Sequence, residues 1–66
     1  MSAARIRSTD LGDGAVEIVL YDDADEMLAV VTHPFAGAPW WFLHRASPPF
    51  ARREKFKTRK AAIAAA

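Results

Sequence analysis

The sequence predicts an α+β domain: an antiparallel meander of three strands, or four if the N-terminal segment also pairs, with one C-terminal helix packed on one face. Three observations support this fold. Short apolar segments alternate with period two, segments containing glycine or proline separate them, and the last ten residues are rich in alanine. Short connections favour antiparallel neighbours. With 66 residues, the chain has room for a single domain, residues 1–66.

The strands are marked by β-branched and aromatic residues between turn signals. Asp13-Gly14 is typical of a hairpin turn, residues 22–26 form an acidic turn, and residues 34–39 form a loop with two prolines. The segments between these signals alternate apolar side chains between two faces. We therefore expect strands at residues 15–21, 27–33 and 40–45, and an optional strand at residues 4–9.

The C-terminal segment, residues 57–66, has the composition of a helix. Thr58 is a suitable N-cap, and the alanines that follow it are the best helix formers. Ile63 is the one large apolar residue of this segment. An alternative is a single long basic helix over residues 48–66, capped by Ser47. Its apolar stripe would be thin, so we rank this alternative second.

Large apolar residues occur on both faces of the predicted sheet. The chain is 52% hydrophobic, or 34 residues, but 14 of these are alanine, which leaves 20 larger side chains. A short alanine-rich helix can cover only one face, and an uncovered apolar patch usually marks an interface. The sequence therefore predicts a homo-oligomer or a protein partner on the uncovered face, contacted by Val19, Tyr21, Met27, Val31, Trp40 and Trp41.

The net charge of +1 hides an uneven distribution. Residues 1–33 carry −5 and residues 34–66 carry +6. The two halves could neutralise each other across the fold, two copies could meet head to tail, or the basic half could face an anionic partner such as nucleic acid. The last interpretation assigns the contacts to Arg45, Arg52, Arg53, Lys55, Lys57, Arg59 and Lys60.

The start of the predicted helix combines free backbone N–H groups with three cations, Lys57, Arg59 and Lys60. The helix dipole disfavours cations at this end. One interpretation is therefore an anion site for a phosphate or a carboxylate, and the other is that the cations point into water at small cost.

Catalysis is not expected, because no recognisable constellation of catalytic groups is present. The chain has no cysteine, His33 and His44 lack the HxH or HExxH spacing of a metal site, and no glycine-rich phosphate loop occurs. We therefore expect no catalytic residue, no metal, no cofactor and no small-molecule substrate. No apolar run approaches the roughly 20 residues of a membrane span, so we expect a cytoplasmic protein without membrane contact.

Residues 56–65, Phe-Lys-Thr-Arg-Lys-Ala-Ala-Ile-Ala-Ala, follow the predicted strands. This segment resembles the end of small β-β-β-α modules such as the arm-type DNA-binding domain of phage-type tyrosine integrases, which have a comparable aromatic-x-Thr-Lys/Arg-x-x-Ala run. The resemblance implies a sheet face that reads the major groove through basic and polar side chains. The present chain departs from that pattern, since its free face is expected to be apolar and flanked by acidic turns. The alanine- and arginine-rich composition is similar to small proteins of actinobacteria and their phages.

Two functions remain open from the sequence. The first is a non-catalytic protein-interaction or regulatory module that self-associates through its apolar sheet face, phage-encoded and acting on a host partner. The second is a small DNA- or RNA-binding protein that uses the basic C-terminal half, with Trp40 and Trp41 stacking on bases.

Overall fold

The computed structural model describes residues 5–46 and 53–66. They form one antiparallel sheet of five strands in sequential order, followed by a helix. The elements are β1 (Arg5–Gly12), β2 (Ala15–Tyr21), β3 (Met27–His33), β4 (Trp41–Arg45), β5 (Arg53–Phe56) and α1 (Arg59–Ala65).

The α+β class, the antiparallel sheet and the C-terminal helix are confirmed, but the predicted count of three or four strands is wrong. The N-terminal strand does form, and β5 is an additional strand of four residues. Its sequence, Arg-Glu-Lys-Phe, contains no β-branched residue, and pairing with β4 specifies its conformation instead. The alternative of one helix over residues 48–66 is also wrong, because Arg53–Phe56 is extended.

The core lies between the sheet and α1, on the side that we call the helix face. Cross-strand pairs join Ile18 to Val31 and Val31 to Leu43, and all three side chains are fully buried. Trp41, Phe56 and Ile63 are partly buried against this core. Burying these side chains is the main stabilising term available to so small a chain. Among the residues that the structure describes, the buried ones are Ile18, Leu20, Ala29, Val31, Leu43 and Ala62.

Both ends of α1 are held by side chains. The predicted cap is confirmed: Thr58 is the N-cap, and its Oγ1 accepts a hydrogen bond from the N–H of Ala61 at 3.1 Å. At the other end, the Arg45 guanidinium donates to the carbonyl of Ala65 at 2.7 Å and pairs with Glu54. Because Arg45 and Glu54 lie on β4 and β5, these contacts fix the helix across those strands.

The loop between β3 and β4 is tied to the first hairpin turn. The N–H of Ala36 donates to the carbonyl of Asp13 at 3.0 Å. The His33 ring stacks on Trp41 with centroids 4.3 Å apart, and its Nε2 donates to the carbonyl of Ala38 at 3.0 Å. His33 therefore has a packing and hydrogen-bonding role at this end of the sheet.

No helix within residues 5–46 and 53–66 is long and apolar enough to cross a membrane.

Candidate functional site

The side of the sheet opposite α1 is not covered by the helix, and we call it the open face. Antiparallel register places directly opposite residues on the same face, so side chains line up in rows across the strands. Two rows cross all five strands of the open face. One row contains Arg7, Val19, Val30, His44 and Arg53, and the other contains Thr9, Glu17, Thr32, Phe42 and Lys55.

Positive charge lies along both edges of the open face. Arg5 and Arg7 occupy β1, whereas Arg53 and Lys55 occupy β5, and all four residues are exposed. Among the strand residues that the structure describes, Glu17 is the one carboxylate on this face. The open face therefore has an excess of cations over a partly buried centre of aliphatic, threonine and aromatic side chains.

Three aromatic rings on or beside this face carry a cation over the ring. Arg5 lies 4.6 Å from the centroid of Tyr21, and Arg53 lies 4.4 Å from that of Phe42. Lys55 Nζ lies 5.1 Å from the centroid of Trp40. These distances fall within the range of cation–π attraction, so a cation covers one face of each ring.

The acidic cluster of residues 22–26 lies in the β2–β3 turn, at the end of the strands. Asp22 Oδ1 accepts hydrogen bonds from the N–H groups of Ala24 and Glu26, each at 2.9 Å, so this carboxylate shapes the turn. Asp25 pairs with Arg5 at 2.6 Å. Two of the turn's carboxylates are thus engaged within the protein, and Asp25 lies beside the β1 edge of the open face through its pair with Arg5.

The six residues predicted for a partner interface do not all lie on the same face of the sheet. Val19, Tyr21 and Trp40 are partly buried, and Met27, opposite Tyr21, is 50% exposed. The prediction is wrong for Val31, which is fully buried under α1. Trp41 is partly buried against the core and so lies on the helix face, not on the open face. Alternation shows which residues of a strand share a face, but the pairing of Val19 with Val30 decides which face that is.

The basic residues predicted for anion contact also lie on different parts of the protein. Arg53 and Lys55 lie on the open face, whereas Arg45 is on the helix face and engaged with Glu54 and Ala65. Lys57, Arg59 and Lys60 are exposed between β5 and the first turn of α1. Arg52 lies outside the described residues.

At the start of α1, where an anion site was predicted, the Thr58 side chain occupies one of the free backbone donors. The helix has seven residues, and no acidic residue occupies its first turn. The N–H of Ala61 already donates to the Thr58 side chain, and that of Ala62 donates to the Thr58 carbonyl. The three cations there are exposed side chains beside a capped helix end.

Sequence reasoning missed Arg5, Arg7, Phe42 and His44 as members of one face. The signal was present in β1, where Arg5 and Arg7 are two residues apart and must share a face of any strand. The other two residues could be added only through the register with β3 and β5.

Within the described ranges, no three His, Asp or Glu side chains are grouped so that they could hold a metal ion. Comparisons with protein-family models, with curated proteins and with solved structures found no match. The case for a function therefore rests on the geometry of this chain.

Proposed function

We propose that the protein is a small nucleic-acid-binding module that uses the open face of its sheet. The observation that carries the proposal is the charge of this face: Arg7, Arg53 and Lys55 are opposed by Glu17 alone among the described strand residues of the face, and Arg5 beside them is paired with Asp25. Cations in this arrangement suit a phosphate backbone, whose neutralisation supplies most of the affinity of nucleic-acid binding. The partly buried centre supplies surface for bases.

The positions of three acidic residues weaken the main objection to this function. The N-terminal half of the chain carries −5, which would repel a phosphate backbone if the charges faced it. Asp22 is engaged in its own turn, Asp25 neutralises Arg5, and Asp10 is placed on the helix face by its pairing with Val16. The acidic and basic halves of the sequence therefore do not form separate acidic and basic halves of the open face.

Self-association through the open face is less well supported. A two-fold axis would place the same face of each copy against the other, and the cations of both edges would meet cations. On the open face Val30 and Phe42 take the places that were predicted for Val31 and Trp41, so the centre stays apolar, but cations border it on β1 and on β5. The open face is better suited to a polyanion than to a second copy of itself.

Replacement of Arg53 and Lys55 by glutamine is expected to weaken nucleic-acid binding by about 10- to 100-fold, because each loses a charged contact to phosphate. The slope of log K against log salt should fall by about 0.7 per lost contact for single strands and about 0.9 for duplex. Fluorescence anisotropy with labelled oligonucleotides at several salt concentrations measures both quantities.

The matched control is the double variant Arg59→Gln/Lys60→Gln, which removes the same charge from exposed residues of α1, on the other side of the sheet. Its affinity should stay near that of the unmodified protein. Equal losses in the two double variants would show that net charge, and not the open face, determines binding. No binding by the unmodified protein at low salt would exclude the proposed function.

A second candidate function, self-association, is favoured by the free edge of β1. This strand lies at the edge of the sheet, all eight of its residues are exposed, and Ile6 and Leu11 are 46% and 61% exposed. Edge strands of this kind pair readily with another chain. A two-fold axis through Ser8 would place Arg7 opposite Thr9 of the second copy, so like charges would not face each other directly. Both open faces would then lie on one side of the joined sheet.

Ile6→Glu should convert such a dimer to a monomer, because the two-fold axis through Ser8 places residue 6 opposite Asp10 of the second copy, and two carboxylates there repel each other. Sedimentation or light scattering across protein concentration gives the mass of each variant. Met27→Glu is the control, since Met27 is about as exposed as Ile6 but lies on β3. A strictly monomeric unmodified protein at high micromolar concentration would contradict edge pairing.

A further inference from the structure

We propose that the ligand of the open face is a single-stranded polynucleotide whose bases stack on Phe42 and Trp40. In the free protein Arg53 and Lys55 lie over these rings, and in the complex they contact the phosphates beside the stacked bases. This inference rests on the proposed function and specifies its ligand.

The width of the sheet favours a single strand over a duplex groove. Adjacent strands are about 4.8 Å apart, so the basic edges on β1 and β5 are separated by about 19 Å. The major groove of B-form DNA is about 12 Å wide and admits a helix or a two-stranded ribbon. A five-stranded sheet cannot enter it face-on, whereas a single strand can lie across the face with its bases against the sheet.

The rings of Phe42 and Trp40 are suitable stacking platforms because the groups that cover them are the ends of flexible side chains. Both aromatic side chains are partly buried, and one face of each ring is covered by a cationic side chain. The groups over those faces are the ends of a long arginine and a long lysine. A base can displace such a group, and the displaced cation remains close enough to contact the adjacent phosphate.

The β4–β5 side of the face is favoured over the Tyr21 side by its surroundings. Arg5, which lies over Tyr21, is held by Asp25 in the acidic turn. The carboxylate of Glu54 on β5 is on the helix face and paired with Arg45. Stacking at Phe42 therefore keeps the phosphates away from the acidic turn beside Tyr21, and the carboxylate of the face, Glu17, lies two strands from Phe42.

The test compares three labelled probes of equal length at one salt concentration: single-stranded DNA, single-stranded RNA and duplex DNA. We expect either single strand to bind at least tenfold more tightly than the duplex. Phe42→Leu, which keeps an apolar side chain and all cations, should weaken single-strand binding by about tenfold or more, with little change for the duplex. Phe42→Tyr keeps a stacking ring and should restore binding.

Phe35→Leu is the matched control, because Phe35 is 54% exposed in the β3–β4 loop, outside the strands that form the face. Circular dichroism verifies that each variant is folded. Duplex binding as tight as single-strand binding, together with an unchanged affinity in Phe42→Leu, would overturn the inference and leave nucleic-acid binding intact. Absence of binding to all three probes would instead exclude the proposed function.

Discussion

Val31→Lys is expected to leave the protein unfolded at room temperature. Val31 is fully buried between Ile18 and Leu43, on the face that α1 covers. A lysine there would have to bury an unpaired ammonium or displace the helix, and burial of an unpaired charge costs several kcal/mol. Domains have about 0.05–0.15 kcal/mol of stability per residue, or roughly 3–10 kcal/mol for this chain. The penalty is therefore comparable with the whole stability of the fold.

The adjacent substitution, Val30→Lys, provides the control. Val30 lies between Val19 and His44 on the open face, where a lysine can extend its ammonium into water. We expect this variant to remain folded, with a stability change within about 1 kcal/mol. Far-ultraviolet circular dichroism and chemical denaturation distinguish the two results. A folded Val31→Lys beside an unfolded Val30→Lys would mean that β3 presents the opposite residues to the core.

This pair of substitutions also shows what the sequence can and cannot predict about the sheet. The bounds of β2 and β3 follow from their β-branched residues and flanking turns, and the structure confirms both. The sequence does not predict which side chains of β3 face the helix. Leu28–Val31 is apolar at every position, so either alternate set of side chains could be buried. Tertiary pairing decides it, and the predicted interface was wrong at Val31 for that reason.

The candidate site was less predictable than the fold because its members are distant in the chain. Arg7 and Arg53 lie in one cross-strand row although 46 positions separate them. Counting charge by halves of the chain placed these two arginines in opposite groups. β5 itself was missed, since three of the four residues of Arg53–Phe56 are charged and none is β-branched. A charged face of a meander can be recognised only after the register is known.

Gly14→Ala is the second substitution with a large expected effect. Asp13 and Gly14 both have positive φ, +54° and +78°, as a tight hairpin turn of the primed type requires. A Cβ at Gly14 would also overlap the backbone nitrogen of Ala36, which donates to the Asp13 carbonyl. Steric strain in the turn and displacement of the β3–β4 loop together should cost about 3 kcal/mol or more.

Gly12→Ala separates these two contributions, because Gly12 has a positive φ of +91° but no atom within 4 Å of the position that an added methyl group would take. Only the backbone penalty applies, about 1–2 kcal/mol, and the melting temperature should fall by about 4–8 °C per kcal/mol in a domain of this size. Gly14→Ala should lower it at least twice as far. It should also release the loop that carries Ala38, the acceptor of the His33 hydrogen bond, and so loosen the stacking of His33 on Trp41. Equal melting temperatures for the two variants would show that contact between the turn and the loop contributes nothing to stability.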